Sequence, residues 1–119
     1  MRVEVYYNLH KSCWSVRALN GPDKGRIVSH ESQVTLANCK MAVQPAGNAK
    51  VRREGRKQIH AFIRGDWIDD RWDTGMWEQI TYNPYKNTSF VKVGSGEEVS
   101  KAAVCVFTDM RTVWGYGVV

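Results

Sequence analysis

The chain has 119 residues, 43% apolar and 24% charged, with a formal net charge of +5 at pH 7. That length predicts one domain spanning residues 1–119, and the apolar share predicts a closed core instead of a disordered chain. No run approaches the roughly 20 apolar residues of a membrane helix, and the start at Met1, Arg2, Val3 and Glu4 is unlike a secretion signal, so a cytosolic protein without membrane contact is expected.

In chain order, Val3, Val5, Tyr7 and Leu9 alternate with Arg2, Glu4, Tyr6 and Asn8. This period of two predicts a half-buried strand whose second set faces water. After a polar turn at 8–12, Trp14, Val16 and Ala18 alternate with Cys13, Ser15 and Arg17, which predicts a hairpin over the first 18 residues with Trp14 in the core. A turn at 20–25 leads to short β-type runs at 26–30, 33–36 and 40–43. Pro45 before and Gly55 after residues 46–54 frame a short helix.

Residues 57–64 return to strand character, with Ile59, Ala61 and Ile63 on one face and His60, Phe62 and Arg64 on the other. Trp67, Trp72 and Trp77 recur every five residues, a spacing that fits neither helix nor strand and predicts a loop with aromatic anchors. Strands are expected at 80–82 and 89–93 around an Asn-Pro turn, and the apolar run 102–108 predicts a central strand paired with 112–118, where Trp114 is expected in the core. The fold class is therefore mainly β (α+β): a small antiparallel sheet or partly closed barrel built from hairpins, with one short helix near 46–55.

Charge is concentrated in residues 50–64, where Lys50, Arg52, Arg53, Arg56, Lys57 and Arg64 stand against Glu54. The next segment, 66–78, is acidic, with Asp66, Asp69, Asp70, Asp73 and Glu78 against Arg71. Guanidinium groups pair bidentately with phosphate and stack on bases, so Arg52, Arg53, Arg56, Lys57 and Arg64 make a candidate phosphate site. If His60, Phe62 and Arg64 share one exposed face, a base can stack on Phe62; core packing of Phe62 is the competing reading. Trp67, Trp72 and Trp77 are candidates for closing a pocket or an oligomer contact.

Enzymatic readings are weak. His10, Ser12 and Cys13 lack a third orienting group, and no phosphate loop or dinucleotide fingerprint is present. The dispersed Cys13, Cys39 and Cys105 predict reduced thiols, and neither a metal nor a cofactor is expected.

Three segments, YYNLHKSCWSVRAL at 6–19, AGNAKVRREGRKQIHAFIRG at 46–65 and ITYNPYKNTSFV at 80–91, resemble a family of small accessory proteins encoded by tailed bacteriophages and prophages. The resemblance implies action in the host bacterial cytosol during infection, by blocking or sequestering a host component; the stretch 66–78 departs from the family pattern. Taken with the basic block, it predicts a non-catalytic counter-defence protein that captures a nucleotide-derived signal. The acidic neighbour shortens the positive footprint, which favours a small ligand over an extended nucleic acid. A DNA- or RNA-binding protein and an inhibitor of a host defence complex are the alternatives. A homo-oligomer is expected, since one short chain has little interior to spare for a ligand.

Overall fold

The alternating first 18 residues form the hairpin of β1 (Arg2–Asn8) and β2 (Cys13–Ala18). In the computed structural model, residues 1–43, 49, 53–55, 61–69, 77–84, 89–109 and 112–118 are described. Asn8 holds the turn: its Oδ1 accepts from the backbone N–H groups of His10 (3.0 Å) and Lys11 (3.1 Å). β2 continues into β3 (Ile27–Glu31), which completes a meander.

The expected runs 33–36 and 40–43 are a single strand, β4 (Val34–Val43). A register shift between Ala37 and Lys40, with Asn38 at φ +52°, marks a bulge. One extra residue there switches the core-facing set from Val34 and Leu36 to Cys39 and Met41, so the period of two is broken in the sequence although the strand is not.

The strand expected to end at Arg64 runs on as β5 (Ala61–Ile68), which places Asp66 and Trp67 in the sheet and corrects the loop expected there. Gly65 permits this: a Cβ at that position would lie 2.9 Å from the Ala37 carbonyl oxygen and 3.1 Å from Leu36 Cβ, so only glycine fits where β4 and β5 approach. β6 (Trp77–Thr81), β7 (Phe90–Lys92), β8 (Glu98–Val99), β9 (Ala102–Phe107) and β10 (Thr112–Val118) follow. Helical backbone is present at Ala49, Arg53 and Glu54, and Gly55 follows at φ +67°, as expected of a residue that ends a helix. The rest of the helix predicted at 46–55 lies outside the described residues.

The strands form one antiparallel sheet in the order β3-β2-β1-β5-β4-β9-β10-β6-β7-β8. The sheet curls over its own core without closing into a barrel. Trp14 on β2 reaches Phe107 on β9 (ring centroids 5.0 Å) and Tyr82 just after β6 (5.3 Å), joining the two halves of the sheet through its inner face. Tyr82 also donates its hydroxyl to the Ala61 carbonyl at 3.3 Å.

The outer face is not simply wet. Tyr6, Phe62, Val104 and Val106 are buried on it, and so are the polar side chains of Glu4, Ser15 and Thr35. This corrects the expectation that Glu4 and Tyr6 face water. Trp114, expected in the core, is half-buried on the outer face opposite Val106.

Candidate functional site: a cationic row on the outer face

Pairing of β4 with β5, β5 with β1 and β1 with β2 brings Lys40, Arg64, Glu4 and Arg17 into one line across four strands. Side chains at such cross-strand positions stand close enough to interact directly. Glu4 is 6% exposed and accepts twice: Oε1 from Arg17 Nη1 at 3.2 Å and Oε2 from Arg64 Nε at 3.3 Å. The Arg17 guanidinium also lies over the Phe62 ring, 5.5 Å from its centroid, and Phe62 meets Tyr6 edge to face at 5.8 Å.

The row therefore holds three cations, two of them on Glu4, against one carboxylate, a positive excess. Arg17 Nε has no hydrogen-bond partner among the described residues, and exposed Lys40 makes no ion pair with them. The Arg64 side chain is 54% exposed. A buried carboxylate that holds two guanidinium groups in place, each still partly exposed, suits a second anion arriving from solvent, although the buried Arg17 Nε is not among the donors it reaches. The neighbouring line is balanced: Arg2 pairs with Asp66 at 3.6 Å, and Asn38 Nδ2 donates to the same carboxylate at 3.3 Å.

Of the residues singled out in the sequence, Arg64 lies in this row. Arg53 projects into solvent, 4.0 Å from the adjacent Glu54. Phe62 shares the face of Arg64 but is 5% exposed, so its ring is committed to Tyr6 and Arg17 and offers no platform to a base. Trp67 is half-buried against the core and, with Ile68 and Asp69, lines an open groove of about 440 Å³. Trp77 packs on Tyr116. Arg52, Arg56, Lys57, His60 and Trp72 lie outside the described residues, as do Asp70 and Asp73 of the acidic stretch. Among the described residues no three His, Cys, Asp or Glu side chains are grouped to hold a metal.

Glu4, Arg17 and Lys40 were not among the candidates. The first two were findable, because a hairpin turning at 8–13 sets Glu4 opposite Arg17. Lys40 arrives only through the long-range pairing of β4 with β5.

A second polar group lies beside this row. Ser15 Oγ is 3.1 Å from His30 Nδ1 and accepts from Asn8 Nδ2 at 3.3 Å, while Lys11 Nζ stands 3.4 Å from His30 Nε2. A lysine donating to Nε2 leaves the proton on Nδ1, which points at Ser15. Ser15 is fully buried, so the hydroxyl is closed to a substrate.

The thiols are separate from both groups. Cys39 donates to the carbonyls of Leu36 (3.5 Å) and Ala102 (3.6 Å). The hydrogen bond with Cys39, and then burial, push the Cys105 thiol well above its ordinary range. A thiolate is the reactive form, so a thiol reagent added to the native protein is expected to modify half-buried Cys13 alone, and all three cysteines after unfolding. Because Cys105 holds its proton more tightly when folded, its contribution to stability is complete at neutral pH and declines as alkali ionises the unfolded thiol.

The geometry defines an open antiparallel β-sheet protein with an electropositive outer face. The family model described as Mycobacterium phage L5 gene 82 protein matches residues 1–114, and the chain belongs to that family of phage proteins. The Gene 82 protein of Mycobacterium phage L5 is 45% identical over 97 residues, which cover 76% of this chain and 77% of that protein. No solved structure matches the chain.

Proposed function

We propose that this phage accessory protein is non-catalytic and inhibits a host defence by binding and sequestering a nucleotide-derived signal through its cationic outer face. The observation that carries the reading is the row of Lys40, Arg64 and Arg17 around Glu4, in which two guanidinium groups are oriented by a buried carboxylate and the excess charge is positive. Membership of a phage family is consistent with the setting we read for it, an infected bacterial cytosol. The non-catalytic part is supported by burial of Ser15, the hydroxyl paired with an imidazole, and by the lysine on the far side of His30, where a base in a nucleophilic triad has a carboxylate.

Native mass spectrometry after mixing the protein with a metabolite extract of infected cells tests this, and it reads the expected homo-oligomer at the same time. The expected result is a small phosphate-bearing adduct of unaltered mass, absent when Arg64→Ala and Lys40→Ala are combined. A chemically altered ligand would establish an enzyme instead. A ligand-free protein that co-purifies with a host protein would replace signal capture by direct inhibition of a defence complex.

A further inference from the structure

Two strands beyond β4 the outer face changes character. Tyr116 on β10 and Trp77 on β6 are paired in register, with ring centroids 5.6 Å apart and planes inclined by 48°. Tyr116 is 38% exposed, and half-buried Trp114 lies two residues before it on the same face. The register line through this pair runs Asp66, Ala37, Val104, Tyr116, Trp77. Ala37 and Val104, the residues between the charged strands and the aromatic ones, are small and uncharged. They leave a low saddle from β4 to β10, two strand spacings or about 10 Å across at the backbone.

One face thus offers phosphate-binding donors at one end and an aromatic surface at the other, the two elements with which single-stranded nucleic acids are held without sequence readout. In a mononucleotide the base is a single sugar away from its phosphate, a shorter reach than this separation. Resting on the anion-binding reading above, we infer that the ligand is a linear one of at least two nucleotides, with a phosphate on Arg64, Lys40 and Arg17 and a base stacked on the Tyr116–Trp77 pair. Asp66, held by Arg2 and Asn38, ends the Ala37–Val104 line at β5. The aromatic pair does for the base what Phe62, buried under Arg17, does not.

The test is calorimetric titration of the wild-type protein and of Tyr116→Ala, Tyr116→Phe and the Arg64→Ala/Lys40→Ala double variant with inorganic pyrophosphate, a mononucleotide, a linear dinucleotide and a single-stranded 12-mer. The dinucleotide is expected to bind about tenfold or more tightly than the mononucleotide, as one added stacked base allows. Tyr116→Ala should abolish that advantage and leave pyrophosphate binding intact, Tyr116→Phe should keep it, and the double variant should lose every ligand. Equal affinity for mononucleotide and dinucleotide, or an unaffected Tyr116→Ala, overturns the base platform while the anion site stands. Absence of binding by pyrophosphate and all nucleotides overturns both. A 12-mer no tighter than the dinucleotide identifies a small linear signal as the ligand, and a much tighter 12-mer identifies a segment of a longer single strand.

Discussion

Trp14→Ala is expected to cost about 3–5 kcal/mol of folding stability, the range for deleting a large buried aromatic side chain. Trp14 is completely buried and touches rings from three parts of the chain: Tyr7 at 5.2 Å, Tyr82 at 5.3 Å and Phe107 at 5.0 Å. A curled sheet that does not close has no continuous ring of strand pairing to hold its halves together, so packing across the inner face carries that load. Domains of this kind have about 5–15 kcal/mol in total, which leaves the alanine variant close to unfolding.

Trp14→Phe provides the contrast. The Trp14 Nε1–H has no hydrogen-bond partner among the described residues, and an unmet buried donor is itself costly. Phenylalanine removes that donor along with part of the volume, so its loss should be much smaller than that of alanine. Urea unfolding of the three proteins measures the order. An alanine variant within about 1 kcal/mol of wild type, the scale of losing a single buried methylene, would mean that the halves of the sheet are held together elsewhere.

The second large effect has two signs. Glu4→Gln is expected to lower stability by about 2 kcal/mol, the range for hydrogen bonds to charged groups, and to raise affinity for phosphate-bearing ligands severalfold. Neutralising Glu4 leaves Arg17 and Arg64 without their shared counter-ion, with Lys40 next to Arg64 in the row. Both arginines remain in contact with water, at 33% and 54% exposure, so the loss stays below that of a fully buried pair. The same change removes the carboxylate that competes for their N–H groups, and an incoming phosphate then meets a stronger field. Thermal unfolding and pyrophosphate titration on one preparation read both quantities. If affinity falls together with stability, Glu4 is a structural brace and the row is not the anion site.

Local pattern carries the hairpins. The alternations around Val3 and Val5 and around Trp14 and Val16, the Asn8 turn and the final 112–118 strand are properties of neighbouring residues, and each is present in the fold as the sequence predicts. Where a single residue interrupts the period, the sequence misleads: the bulge at Asn38 divides one strand into two apparent runs, and Gly65 resembles a strand end although it marks close contact with Ala37.

The candidate site depends on contacts of another kind. The basic block is plain in the sequence, yet of its residues Arg64 enters the described row, and its companions Glu4, Arg17 and Lys40 come from three other strands. A period of two states which residues share a face. It does not state which strand will lie alongside, because pairings such as β1 with β5 and β4 with β9 form between segments far apart in the chain, and their register is selected by which side chains fill the core together. Composition and alternation alone thus establish an antiparallel β protein with excess positive charge. The burial of Phe62, the carboxylate shared by two arginines and the meeting of Tyr116 with Trp77 arise only when the sheet curls around Trp14, since that packing sets the long-range register.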